Sequence, residues 1–265
     1  MTLPVFLTDP ESAATAAAQK MLTLTGREGH HAADVRRLRR GESVEVVDGL
    51  GLRLLCTVRE PGRAHLLLDV VDAVREPRAD PQVTVAQALV KQDAAERALA
   101  AMTEVGVDTV VPWSAAHSVV SWDAAREQRG LRRWATTVEQ AAKQSRRAWV
   151  PDVTEVADLP ALLDRVGRAG RALVLDSDAE RPIADVGLAD ADAAAGGATH
   201  DILLVVGPEG GIAGSEMAAL QDAGAMAVHL GPTVLRAATA GAVAAAVLLS
   251  RTPRWLTRRV EAPAG

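Results

Sequence analysis

The chain has one cysteine, Cys56, one phenylalanine and no tyrosine, and aromatic residues make up only 2% of its 265 positions. A lone thiol excludes a disulfide within the chain and a thiolate metal cluster, and it fits a reducing, cytoplasmic setting. No His, Cys and carboxylate set has metal-ligand spacing, so no metal is expected. Scarce rings mean that Ala, Val and Leu must fill the core, and that any base stacking would lean on Trp, His or Arg planes. Long apolar runs are missing too. The longest, residues 237–249, is Ala-rich and falls short of the roughly 20 residues a bilayer span needs, so it reads as a buried helix and no membrane is expected. The first residues lack the basic start and apolar run of a signal peptide.

What is present suits a globular protein. Hydrophobic residues are 48% and charged residues 24%, enough for a real core in one large domain or two smaller ones. A net charge of −5 argues weakly against a nucleic-acid partner, but the charge is uneven. Residues 27–40 hold Arg27, Arg36, Arg37, Arg39 and Arg40 with His30 and His31, against Glu28 and Asp34. Residues 126–147 hold seven basic residues against Glu127 and Glu139, whereas 176–201 is acidic, with Asp176, Asp178, Glu180, Asp185, Asp190, Asp192 and Asp201. Such basic islands read equally as solvated helix faces or as phosphate contacts.

Residues 1–72 read mostly as strands. The runs 43–47 and 52–58 flank Asp48-Gly49, a hairpin signal, and 63–71 follows Pro61-Gly62. A short helix is expected over 28–38, and a small barrel is the natural closure. Residues 76–81, with Pro77 and Pro81, mark the domain boundary. Beyond it strands and helices alternate: strands at 83–89, 109–112, 172–176, 202–206 and 227–230, helices at 93–105, 123–144, 161–168 and 214–223 with Ser215 as cap, and then the Ala-rich helix. Alternation of this kind means a parallel sheet covered on both faces. The acidic, Ala/Gly-rich stretch 185–199 reads as a surface loop.

Two segments stand out. In Ile202-Leu-Leu-Val-Val-Gly207-Pro208-Glu209-Gly210-Gly211-Ile212, a buried strand runs into a Gly-rich turn. Ligands of open parallel sheets sit at the carboxyl ends of strands, and glycines there allow close backbone approach. Neither G-x-G-x-x-G nor a P-loop Lys-Ser/Thr is present. In Leu230-Gly231-Pro232-Thr233-Val234-Leu235-Arg236-Ala237-Ala238-Thr239-Ala240, a lone Arg precedes an apolar helix. An unpaired Arg is costly to bury, so Arg236 either stands at the mouth of a site or snorkels to water, and the site reading is preferred.

These two segments resemble the C-terminal motifs of the ribosomal RNA small subunit methyltransferase E family, which belongs to the SPOUT class. Ala88-Leu-Val-Lys91 with Thr103-Glu104-Val105-Gly106-Val107, Glu139-Gln-Ala-Ala-Lys143-Gln144-Ser145, and His30-His31 with Val35-Arg36-Arg37-Leu38-Arg39-Arg40-Gly41-Glu42 are similar to further segments of that family, in its order. The resemblance implies an α/β protein with an N-terminal PUA-like β-barrel over 1–74 and a C-terminal SPOUT domain with a trefoil knot over 82–255. It implies methylation of N3 of a uridine in 16S rRNA of the small ribosomal subunit, S-adenosylmethionine as cofactor, and a homodimer. The alternatives are a SPOUT methyltransferase acting on another RNA site, or a non-catalytic RNA-binding assembly factor.

On this chain the cofactor would be held by Gly207, Pro208, Glu209, Gly210, Gly211, Leu230, Gly231, Leu235, Ala237 and Thr239. Arg236 would stabilise charge on the base, and Glu209 would accept a proton or hold Arg236. RNA contacts would come from His30, Arg36, Arg37, Arg39, Arg40, Lys91, Lys143, Arg146 and Arg147. The chain departs from the family at Ala237-Ala238, where Thr and Glu are usual, and at His117, where Arg is common.

Overall fold

A computed structural model of the protein describes residues 3–188 and 201–256. Most of the acidic 185–199 stretch, including Asp190 and Asp192, lies outside the described residues. The described residues form two compact units: one takes in residues up to Arg78 together with Ala142–Val150, the other Ala79–Ala141 and the described residues from Pro151 to 256. No described helix is long and apolar enough to cross a membrane.

The first unit is built on a curled five-stranded sheet of β1 (Val5–Leu7), β2 (Met21–Leu24), β3 (Ser43–Val47), β4 (Leu52–Pro61) and β5 (Leu66–Arg75), in the order β1-β3-β4-β5-β2. Alternation sends Leu54, Cys56 and Val58 of β4 and Leu66, Leu68 and Val70 of β5 into one core. Burial pushes the Cys56 thiol up to about 12. The β3–β4 hairpin forms where Asp48-Gly49 signals it. Asp48 Oδ1 accepts from the backbone N–H groups of Leu50 (2.7 Å) and Leu52 (2.9 Å), and Gly49 and Gly51 take positive φ.

Helix α1 (Pro10–Gln19) was not expected from the sequence. Its buried stripe is only Ala13 and Ala16, too small to stand out as amphipathic, yet the Asp9 side chain caps it by accepting from Ser12 N at 2.8 Å. Helix α2 (Gly26–His30) runs on into a π-helical turn, His31–Val35, in the region read as helical.

Residues 142–150 fall in this first unit, where the sequence pattern assigns them to the second domain. The Trp149 indole N–H donates to the Glu76 and Pro77 carbonyls, and the Arg78 guanidinium lies 4.5 Å from the ring centroid. A Cβ on Gly51 would stand 2.6 Å from that indole, so only glycine fits beneath it. Below, Arg53 has only 8% of its side chain exposed; it bonds Glu45 (2.8 Å), Glu76 (2.7 Å) and the Arg146 carbonyl (3.0 Å). Arg146 in turn donates to the Leu3 carbonyl at 2.6 Å.

The second unit is a six-stranded, fully parallel sheet of β6 (Val83–Ala88), β7 (Thr109–Trp113), β8 (Asp152–Val153), β9 (Arg171–Leu175), β10 (Ile202–Val206) and β11 (Met226–Val228). Its order is β11-β9-β10-β6-β7-β8. The helices are α3 (Gln92–Val105), α4 (Ala124–Gln144), α5 (Leu159–Arg168), α6 (Gly214–Asp222) and α7 (Ala237–Leu249). The alternation read from the sequence is therefore the observed architecture. β10 is buried along its whole length, as expected of a central parallel strand. Helix α7 is Ala-rich because it lies close to its neighbours. A Cβ on Gly241 would come within 2.9 Å of Met102 Sδ, 3.3 Å of Val85 Cγ1 and 3.4 Å of Val206 Cγ2.

The cap of α6 differs from expectation. The helix starts at Gly214, so Ser215 lies within it, and Glu216 reaches back to accept from Ala213 N at 3.1 Å.

Candidate functional site

The carboxyl ends of β6, β9, β10 and β11 face a single cavity of roughly 850 Å3. This is where an open parallel sheet presents its ligand site. Lys91 follows β6, Asp176–Ser177–Asp178 follow β9, residues 207–212 follow β10, and residues 230–236 follow β11, and all of these strand ends contribute lining residues. The two glycine-bearing segments singled out in the sequence are thus brought together.

Of the expected cofactor residues, Gly207, Pro208, Glu209, Gly211, Leu230, Gly231, Leu235 and Ala237 line this cavity. Gly210 and Thr239 do not. Gly210 sits against His117, whose Cβ would be 3.1 Å from an added methyl, and the Thr239 hydroxyl turns back to the Arg236 carbonyl at 3.1 Å. Gly207 needs its missing side chain because a Cβ there would meet Ile212 Cγ1 at 2.7 Å. Gly231 has φ +119°, a conformation L side chains rarely adopt.

Arg236 and Glu209 both line the cavity and are both exposed. Arg236 is the N-terminal boundary residue of α7, and its carbonyl accepts from Ala240 N at 3.0 Å. No ion pair joins its guanidinium to Glu209 among the described residues. Ala237 and Ala238, at the departure from the family pattern, are buried lining residues that leave the cavity open.

Several lining residues did not stand out in the sequence. Asp93, Arg97, Asp176, Ser177 and Asp178 all face the cavity. The Arg97 guanidinium hydrogen-bonds Asp93 at 3.2 Å and holds its carboxyl below the usual range. The signal for Asp176–Asp178 was available: they follow a buried strand just as Gly207 does. The cavity thus offers apolar walls (Val206, Ile212, Met217, Val228, Leu230 and Leu235), a set of carboxylates and two glycine-bearing bends. That combination suits a ligand with a flat apolar part, hydroxyls and positive charge.

The bend at 207–213 is held from behind. The Trp113 indole N–H donates to the Val206 carbonyl at 2.9 Å. Glu216, with only 6% of its surface exposed, accepts from Ala213 N at 3.1 Å with one oxygen and from Ala116 N at 2.8 Å with the other. His117 Nδ1 lies 3.2 Å from the Gly210 carbonyl, which requires Nδ1 to carry the proton. Loop 114–118 is therefore a brace for the glycine bend.

The expected RNA-contact residues divide. Arg36, Arg37, Arg39 and Arg40 are exposed, with no side-chain ion pair among the described residues, and His30 is exposed and bonded to Asp34 at 2.8 Å. Lys91 is exposed on the rim of the cavity. The ammonium of Lys143 is instead committed within the first unit to Glu28, at 2.6 and 2.7 Å, with 13% of the side chain exposed. Arg146 is committed there too, to the Leu3 carbonyl. Arg147 is half-buried. Lys143 therefore does not stand as a free phosphate contact, because Glu28 already pairs its charge, and Arg146 is turned into the fold, with Glu45 3.6 Å from its guanidinium. No group of three or more metal-ligating side chains is found among the described residues.

Comparison with known proteins points one way. Residues 77–249 match the model of an RNA methyltransferase domain, and residues 24–71 that of an RNA methyltransferase PUA domain. The chain is 47% identical over 234 residues to the ribosomal RNA small subunit methyltransferase E of Mycobacterium bovis, covering 87% of this chain and 86% of that protein. The Bacillus subtilis protein of the same name is 28% identical over 219 residues, covering 82% and 85%. A crystal structure of a ribosomal RNA small subunit methyltransferase E from Neisseria gonorrhoeae, bound to S-adenosyl methionine, shares the fold. Its TM-score is 0.80 at 21% identity, over 94% of this chain and 98% of that one.

Proposed function

The chain belongs to the ribosomal RNA small subunit methyltransferase E family, and from that premise we propose that it transfers a methyl group from S-adenosylmethionine to N3 of one uridine in 16S rRNA. The observation that carries this reading is the convergence of residues 207–212 and 230–238 on one cavity with Arg236 at its edge. The apolar walls suit an adenine. Asp176, Asp178 and Glu209 supply acceptors for an ammonium and for ribose hydroxyls. The bound cofactor supplies an electrophilic methyl on a sulfonium.

The residues of the chain do the rest. Uridine N3 is a weakly acidic imide, and it becomes nucleophilic as its proton leaves. Arg236, a guanidinium without a carboxylate partner among the described residues, stabilises the negative charge that then spreads onto the base oxygens. Glu209, on the same rim and not engaged by Arg236, accepts the proton. The walls hold the base in line with the methyl, which removes most of the entropic cost of their meeting. N3 lies on the Watson–Crick edge, so the target base must be unpaired when it enters.

The finer expectations of the resemblance belong to the same proposal: a trefoil knot in the second unit, a homodimer, and a cytoplasmic setting. Primer extension on small-subunit rRNA tests the reaction, because an N3 methyl blocks pairing. A stop at one uridine in cells that hold the protein, absent in cells that lack it, is the expected result; identical traces would refute it.

A further inference from the structure

The structure commits Lys143 and Arg146 of the second basic island to partners inside the first unit, but it leaves the other end of that island exposed. Arg126, Arg129, Arg132 and Arg133 of α4 are all solvent-facing, while Trp134, Val138 and Ala141 form the buried face of the helix. Arg126, Arg129 and Arg133 follow one another at helical spacing along one side.

This placement works against the helix itself. At the start of α4 the carboxylates are in place, Glu127 in the first turn and Asp123 accepting from Arg126 N at 2.9 Å; the unfavourable charges lie one turn further on. Arg126 has Asp123 beside it at 3.5 Å. Arg129, Arg132 and Arg133 have no Asp or Glu three or four positions away in either direction; their neighbours at that spacing include one another. Like charges at such spacing repel. A helix built only for stability would interleave acids here, as α3 does with Asp93 and Arg97.

The stripe also leads to the cavity. The Arg133 guanidinium donates to the Gln92 side-chain oxygen, and the next residue, Lys91, stands on the cavity rim with Arg97. The nearby acids are taken: Asp93 by Arg97, Glu96 by the Gln92 amide.

We infer that the first half of α4 is an RNA-tracking surface, along which the phosphates flanking the target base run from Arg126 past Arg133 to Lys91. The inference rests on the proposed rRNA methyltransferase reading and names the face of the second unit that takes the RNA. Arginine suits it, since a guanidinium holds phosphate in a two-pronged geometry and keeps its charge at any relevant pH.

The test replaces Arg126, Arg129, Arg132 and Arg133 together with Gln, which removes the charge and keeps helix propensity. The readouts are thermal unfolding, calorimetry with S-adenosylmethionine, and titration of small-subunit rRNA at several salt concentrations. The variant is expected to melt at or above the wild-type temperature, since repulsion is removed, and to bind cofactor within twofold. Its RNA affinity should fall at least tenfold, and the slope of log affinity against log salt should flatten by about 2 to 4. An unchanged RNA affinity and slope would overturn the inference. So would a variant that melts early and loses cofactor and RNA together. A wild-type protein that binds rRNA through this stripe yet transfers no methyl group would refute the proposed reaction and leave the surface standing.

Discussion

Glu216→Ala is the sharpest perturbation of the brace behind the glycine bend. The buried carboxylate accepts from Ala213 N and Ala116 N, and so ties the end of the 207–213 bend to loop 114–118. Its removal strands two backbone donors. A hydrogen bond to a charged group is worth about 1.5–3 kcal/mol, and water reaches the part-exposed Ala116 and Ala213, so the folded state loses roughly 2–4 kcal/mol if nothing rearranges. The bend is the cheaper part to release: it has no helix or strand of its own, and its glycines resist little. A bend that holds its binding shape for about a tenth to a hundredth of the time weakens cofactor binding by the same factor, about ten- to a hundredfold. The assay is calorimetric titration of S-adenosylmethionine, with thermal unfolding alongside. Glu216→Gln separates packing from hydrogen bonding. It has the same shape but one acceptor, and its amide group would face a backbone N–H. It should therefore bind cofactor nearly as poorly as the Ala variant. Cofactor affinity within twofold of wild type in both variants would refute the reasoning.

Other outcomes follow from the same geometry. Arg53→Met leaves Glu45 buried and short of its main partner, and should destabilise the first unit by about 3–5 kcal/mol in denaturant titration; a loss under about 1 kcal/mol would contradict the buried-network account. Arg236→Ala should lower turnover by about 10²–10³ with cofactor affinity changed only a few-fold, read by single-turnover methyl transfer. The Cys56 thiol, raised from 9.0 to about 12, should alkylate about a thousandfold more slowly at pH 8 in the folded protein than in denaturant. Because its folded value lies above its unfolded one, the folded state holds more protons between the two. Stability should then fall as pH rises from 9.0 to about 12, seen in denaturant titrations across that window.

The sequence made some of this legible and hid the rest for physical reasons. β10 and its glycine bend stood out because five consecutive apolar residues running into Gly207 are what a strand covered on both faces requires. The hairpin at Asp48 was readable because the turn chemistry is local. Helix α1 was not, since an Ala stripe carries little amphipathic contrast. The Ser215 cap was misplaced because the helix begins one residue earlier, at Gly214, with Glu216 closing its first turn back onto Ala213 N. Lys143 looked like an RNA contact because its partner, Glu28, is 115 positions away, and nothing local distinguishes a paired charge from a free one. Asp176 and Asp178 looked like part of an acidic surface because a one-dimensional charge count cannot separate a strand end from the loop beyond it. His117 stood out only as a departure from the family, whereas in the fold it touches the Gly210 carbonyl.

The central claim is that one cavity, made by the bends after β10 and β11, carries methyl transfer to a uridine nitrogen. Its most direct measurement is nucleoside analysis of 16S rRNA from small subunits that lack the modification, after incubation with the protein and isotope-labelled S-adenosylmethionine. The account predicts one labelled 3-methyluridine per rRNA with the wild-type chain and almost none with Arg236→Ala. Label on another nucleoside, no label at all, or full labelling by the Arg236→Ala variant would contradict it.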